Sequence, residues 1–328
     1  MTAALRLQGP ARPHAASGPS GQWLVGPWFD LLLVANLAWP LLLLWQFGDG
    51  FSGRAGVQFW QLYFLTTPHR WITLAIVFLD RERFAARRWL FVGVAAIVIA
   101  VCLGVRISTG TLTCLLTIDY LWNAWHFASQ HHGIYRIYGR LTEPARTAGL
   151  AFEKWVLRLF ILYVIVRVAG ATWSYPALEQ TLHVTDWLAL AAPAWLATSD
   201  FLRGPSLARS TYLLSTLCLY TGLLAAVHFL QPGLVLALAT ASAIFHAIEY
   251  LALVTWSARQ RHTSRGDQLG LFARIVPQWA LALTFFIVIL GSSGWLLDQH
   301  LLRPWLLVNV IVAFLHYAYD GLIWRQRT

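Results

Sequence analysis

The sequence predicts an all-α fold: a polytopic transmembrane helix bundle of about ten helices, with both ends in the cytoplasm. Three observations predict it. Of the 328 residues, 58% are apolar and only 12% are charged, half the charged share of about 25% usual in soluble domains. Aromatic content is high, with 18 Trp and 18 Phe, and Trp gathers at membrane–water boundaries. Apolar runs of roughly 20 residues, enough to cross the hydrocarbon core, recur along the whole chain. A soluble fold would have to bury nearly every one of these segments on all faces.

Residues 1–20 are polar and rich in Pro, Gly and Ala, and read as a disordered cytoplasmic tail; 21–328 read as a single transmembrane helical domain. The first apolar run starts near Trp23 and is long enough to span, so a cleaved signal peptide is not expected. The candidate spans are 24–47, 57–79, 89–105, 111–132, 151–171, 186–202, 211–230, 233–254, 276–297 and 304–324. The sixth is short. Turn residues separate several of them, at Gly48-Asp49-Gly50, Gly204-Pro205 and Gln231-Pro232-Gly233. Gly291-Ser292-Ser293-Gly294 falls late in the ninth span, where a bend is expected.

Orientation follows from the basic residues. Arg81, Arg83, Arg87 and Arg88 lie between the second and third spans. Arg136, Arg140, Arg146, Lys154 and Arg158 follow the fourth, Arg203 and Arg209 the sixth, and Arg259, Arg261, Arg265 and Arg274 the eighth. Arg325 and Arg327 follow the tenth. The alternate connections are nearly bare, with Arg54, Arg106 and Arg303. Basic loops stay inside, so both termini are expected in the cytoplasm. The net charge of +10 is thus a topology signal, with acidic lipid headgroups as partner and no nucleic acid. Cys102, Cys114 and Cys218 form no CxxC pair, which argues against a disulfide framework, an iron–sulfur motif or a zinc ribbon.

Ionisable side chains inside a membrane helix cost about 2.5–3.5 kcal/mol on insertion scales. They persist where they pair, bind something or line a wet cavity. Span two contains Pro68-His69-Arg70; span four contains Asp119, His126, Gln130, His131 and His132; span eight contains His246 and Glu249; span ten contains His316 and Asp320. All four spans run from outside to inside. In each, a His precedes the first cytoplasmic Arg by an interval that sets it roughly 13–20 Å along the helix. Four helices therefore bring imidazoles to one layer of the cytoplasmic half. His246 with Glu249, His316 with Asp320, and His126 with Gln130 have spacings that share a helix face. His69, His126, His131 or His132, His246 and His316 are the candidate metal ligands. Glu249 and Asp320 are candidate catalytic carboxylates, as ligands or as orienters of ligands. Imidazole with carboxylate suits iron, zinc or manganese.

Other polar residues have local readings. Asp119 pairs with Asn123 or supports the metal layer, and Asp30 also supports it. Asp80 and Glu82, interleaved with Arg81 and Arg83, form surface ion pairs. His183, His262 and His300 belong to loops, and His228 to the outer interface. Residues 133–140 form an amphipathic cytoplasmic headgroup anchor, or a docking or lid surface beside a cytoplasm-facing site.

The set His126-x4-His131-His132, with further His and acidic positions on other helices, resembles the histidine-box integral membrane di-iron enzymes, the group of membrane desaturases, hydroxylases and alkane monooxygenases. Their boxes run HxxxH and HxxHH, against HxxxxHH here. The resemblance implies an oxygen-activating iron site near the cytoplasmic face, with one or two iron ions. Pro68-His-Arg70, His246-Ala-Ile-Glu249 and His316-Tyr-Ala-Tyr-Asp320 look like signatures of a bacterial membrane family, which implies the inner membrane. The expected function is an iron-dependent oxygenase, hydroxylase or desaturase acting on a hydrophobic substrate. Its electrons would come from a cytoplasmic donor protein, since no flavin fold or iron–sulfur motif is encoded. The alternatives are a zinc hydrolase of lipid amides or esters, a haem-binding electron carrier, and a proton- or metal-coupled transporter.

Overall fold

A computed structural model describes residues 22–48, 58–170, 176–204, 206–265 and 270–324. The tail expected at 1–20, and Arg54, Arg325 and Arg327 of the charge pattern, lie outside the described residues. Among the described residues there is helix and no strand. Thirteen helical segments are labelled here in chain order: α1 (Pro27–Val34), α2 (Trp39–Gly48), α3 (Gln58–Leu79), α4 (Arg81–Ala86), α5 (Arg88–Thr109), α6 (Thr113–Thr142), α7 (Leu150–Gly170), α8 (Pro176–Ala189), α9 (Ala191–Leu202), α10 (Leu207–His228), α11 (Pro232–Arg265), α12 (Leu271–Ile275) and α13 (Trp279–Ile323). Five helices are long and apolar enough to cross a membrane, or six if the pair α1 and α2, bent by 45°, makes one span. Large apolar side chains such as Ile107, at 80% exposure, and Leu44, at 67%, face outward. In water that pattern would be costly, and against lipid it is ordinary.

The segmentation differs from the sequence expectation in three places. The short sixth span is two abutting helices, α8 and α9. The ninth and tenth spans are two helices, labelled together as α13, that join at Leu301 (φ −134°, ψ 42°) just before Pro304; the break lies there and not at residues 291–294, because proline clashes with the preceding turn. Helices α6 and α11 continue past the apolar stretch to Thr142 and Arg265. His183, His262 and His300 therefore sit on helices rather than in loops.

Local chemistry explains the irregular turns. In α1, Pro27 begins the helix, where its missing N–H costs nothing. The Asp30 carboxylate accepts from the backbone N–H of Leu24 (2.7 Å) and Val25 (3.2 Å) and from the Tyr138 hydroxyl (2.9 Å). Asp30 thus ties the chain entry to α6, and does not support the histidine layer as expected. After a π-helical turn at Asp30–Val34, Asn36 adopts φ 49° and donates through its side chain to the Phe245 carbonyl on α11 (3.1 Å). A second π-helical turn, Gln61–Thr66, precedes Pro68 and His69 in α3; such turns occur often at functional sites. Gly291 of α13 lies so close to α3 that a Cβ there would stand 2.7 Å from the Phe64 ring and 2.8 Å from the Tyr63 carbonyl.

One apolar core joins α6, α7, α9, α10 and α11, including Ile134, Ile161, Leu219 and Phe245. Others join α3, α11 and α12, and α5 with α13. Helices α3, α6, α11 and α13 meet where these cores adjoin, and that is where the histidines lie. Asp80 is not at the surface: it is buried, caps α4 at the Arg83 N–H (3.0 Å) and pairs with Arg261 (2.7 Å). Residues 133–140 are likewise more than a surface anchor. Tyr135 and Tyr138 are buried, and Tyr135 donates to Asp200 (3.2 Å).

Candidate metal centre

His69, His126, His246 and His316 come from α3, α6, α11 and α13 and close into a ring. Their ring centroids are 5.2 Å apart for His69–His246, 5.0 Å for His246–His126, 4.6 Å for His126–His316 and 5.1 Å for His316–His69. All four are buried. One donor atom from each of His69, His246 and His316 lies within 4.8 Å of the others, and the same holds for His126, His316 and Asp320.

With Asp320 ionised, hydrogen bonding sets the tautomer of His316. Tyr250 donates its hydroxyl to Asp320 Oδ1 (2.6 Å) and sits 2.6 Å from Thr73 Oγ1, which is 2.6 Å from His316 Nδ1. A carboxylate only accepts. Tyr250 has one hydrogen and gives it to Asp320, so Thr73 donates to Tyr250 and accepts from His316 Nδ1–H. The His316 Nε2 lone pair then points into the ring, 3.1 Å from His126 Nε2. Two nitrogens held about 2.0–2.1 Å from a common ion at 90–110° would be about 2.8–3.4 Å apart. Asp320 Oδ2 is 3.8 Å from His126 Nε2.

The other two imidazoles are poorly served by the protein. Both nitrogens of His246 are buried without a hydrogen-bond partner, and Phe127 stacks on the ring at 3.8 Å. His69 lies beside the Leu65 and Thr66 carbonyls and makes no hydrogen bond of good geometry. Each buried polar atom left unpaired costs about 1–3 kcal/mol. A cation in the ring would pair one nitrogen of each of these imidazoles and remove that part of the penalty.

Three expected ligands stand elsewhere. Glu249 turns toward α6 and α10, where Tyr212 donates to its Oε1 (2.8 Å) and His131 Nδ1 lies 3.2 Å from its Oε2. His131 also reaches the Tyr212 hydroxyl (2.9 Å) through Nδ1 and the Tyr220 hydroxyl (3.2 Å) through Nε2. His132 is half-buried and lines a cavity with Arg136, Arg146 and Glu153 near the end of α6. The cause is angular. At about 100° per residue, His131 is about 140° around α6 from His126, His132 about 120° the other way, and Glu249 about 60° from His246. Asp119 accepts from Tyr317 (2.9 Å), a hydroxyl shared with Asn123 (3.0 Å), and has Arg70 at 4.0 Å.

Sequence reasoning passed over Thr73 and Tyr250, although a signal was available. Each ring histidine has a polar residue four positions on: Thr73, Gln130, Tyr250 and Asp320. That spacing keeps a pair on one helix face. Gln130 donates to the His246 carbonyl (3.2 Å), and the other three form the chain that orients His316. Arg167 was also missed. It pairs with Asp186 (3.2 Å), which His228 also approaches (3.1 Å), so His228 belongs to an ion cluster on that side of the protein.

Comparison with protein-family models, with curated proteins and with solved structures returned no match for this chain.

Proposed function

We propose that this chain is an integral membrane metalloenzyme that binds one iron ion in the ring of His69, His126, His246 and His316, with Asp320 as its carboxylate. The observation that carries this reading is the inward Nε2 of His316, oriented by Thr73 and Tyr250, facing His126 Nε2 at 3.1 Å beside His69 and His246, whose ring nitrogens lack partners. Two His and one carboxylate with open positions suit non-haem iron, and His126, His316 and Asp320 supply that set. A single ion is favoured over two because His316 belongs to both donor groups and its Nδ1 is engaged by Thr73. Haem is disfavoured because ring centroids 4.6–5.2 Å apart leave no slot for a macrocycle.

Iron held there would supply oxygen activation, for an oxygenase, hydroxylase or desaturase acting on a hydrophobic substrate. The residues have distinct tasks. The four imidazoles bind, Tyr250 and Thr73 orient Asp320 and His316, and the surrounding apolar cores exclude water. In this reading the ten apolar segments all cross the bacterial inner membrane, both termini are cytoplasmic, and a cytoplasmic donor protein delivers electrons. The second reading is a zinc hydrolase, favoured by the three-His group of His69, His246 and His316.

The test is elemental analysis of protein purified in mild detergent, followed by oxygen uptake with a chemical reductant. About one iron per chain and reductant-dependent oxygen uptake support the proposal; zinc without oxygen uptake favours the hydrolase; no bound metal overturns both.

A further inference from the structure

His131 and Glu249 form a second buried ionisable site, separate from the ring. Both are 0% exposed. In contrast to His246, they are almost fully served. Ser242 donates to Tyr220 (3.0 Å), and Tyr220 meets His131 Nε2 (3.2 Å). His131 Nδ1 meets Tyr212 (2.9 Å), and Tyr212 donates to Glu249 Oε1 (2.8 Å). Glu249 Oε2 alone has no hydrogen-bond donor of good geometry, with His131 Nδ1 3.2 Å away. One carboxylate oxygen is therefore open to a proton. The Tyr220 and Ser242 hydroxyl hydrogens can rotate, so the row can reverse and Tyr220 can accept a hydrogen bond from a protonated His131 Nε2.

Position gives this site its meaning. On α6, His131 follows His126 by about 7.5 Å of rise; on α11, Glu249 follows His246 by about 4.5 Å. Both displacements lead toward the basic, cytoplasmic ends of these helices. Beyond them Tyr138 packs against Tyr212 at a centroid distance of 5.8 Å and donates to Asp30 (2.9 Å), which binds the backbone beside exposed Val25. The groups facing the pair are Tyr138 from α6, Tyr212 and Tyr220 from α10, Ser242 from α11 and, one step further, Asp30 from α1; His126 on α6 and His246 on α11 also interact electrostatically with His131. Arg209 and Asp200 pair at 2.7 Å beside Tyr135 on the cytoplasmic side.

We propose that the buried His131–Glu249 pair takes up one proton each time the neighbouring metal centre gains an electron. The inference rests on the metal-centre reading. One electron added in a low-dielectric interior leaves a charge that a nearby proton offsets. The balance is one electron from an external reductant and one proton from water. The new bond is O–H at Glu249 Oε2 or N–H at His131 Nε2, two microstates of one coupled site.

The experiment is an electrochemical titration of the full-length protein loaded with iron, repeated across about two pH units. The midpoint potential of the wild type should fall by about 59 mV per pH unit, the value for one proton per electron. Glu249→Gln should keep its iron and lose more than half of that slope; if it does not fold, His131→Asn has the same expectation. A pH-independent wild-type potential overturns the coupling, as does an unchanged slope in a variant that folds and binds iron. A wild type that binds no iron instead overturns the metal-centre reading, and the coupling falls with it.

Discussion

The ring of His69, His126, His246 and His316 and the network of His131 and Glu249 use the same residue types and share two helices, α6 and α11. They differ in hydrogen bonding. In the network, His131 has hydroxyl partners on both nitrogens and Glu249 is held by Tyr212. In the ring, His246 has no partner on either nitrogen, and His316 has Thr73 on one side and only another ring histidine, His126, on the other. A buried polar group without a partner is costly, so the ring leaves polar atoms unserved while the network is nearly complete alone. Burial of histidine therefore does not mark a metal site. What marks one is the direction in which the lone pairs are left free.

The comparison can be broken at its strongest point first. His126→Ala or His316→Ala should lower iron affinity by at least about 100-fold, since each removes a ligand common to one proposed group, measured as iron retained after dialysis. Retention of full iron content would place the ion elsewhere. Tyr250→Phe removes the hydroxyl that joins Asp320 to Thr73, and the expected loss is about 10–100-fold in affinity, the usual range for residues that orient ligands.

Smaller effects sharpen the other half of the contrast. Glu249→Ala should leave iron content unchanged and destabilise the protein by about 1–3 kcal/mol, the cost of leaving His131 and Tyr212 without their carboxylate. A thermal-unfolding scan in detergent reads this, and a loss of iron with unchanged melting would reverse the assignment of the two regions. His132→Ala should change iron content by less than about twofold, because its ring lies on the far side of α6.

Much of the molecule was legible in the sequence, for a physical reason. Membrane crossing imposes length and apolarity on each segment, so helices such as α3, α5 and α10 appear almost where the hydropathy places them. The ends were less legible. Helices α6 and α11 run past the apolar stretch to Thr142 and Arg265, because Tyr, Arg and Gln are compatible with helix outside the hydrocarbon and composition alone does not stop it. The ring histidines were readable from their shared depth, and Asp320 from its spacing to His316. Depth is one coordinate only. His131, His132 and Glu249 satisfied it and still diverged, because rotation about the helix axis separated them from their neighbours. The π-helical turns at Asp30–Val34 and Gln61–Thr66 left no mark in the residue pattern, since they depend on close packing from distant parts of the chain such as Gly291.

The central claim is that imidazoles from four separate helices meet on one ion. X-ray absorption at the metal edge of the purified, iron-loaded protein tests it most directly. The account predicts a first shell dominated by nitrogen at about 2.0–2.2 Å with outer-shell scattering from several imidazoles and no second metal nearby. A shell of oxygen or sulfur without imidazole scattering, or a metal neighbour within about 3.5–4 Å, would contradict it.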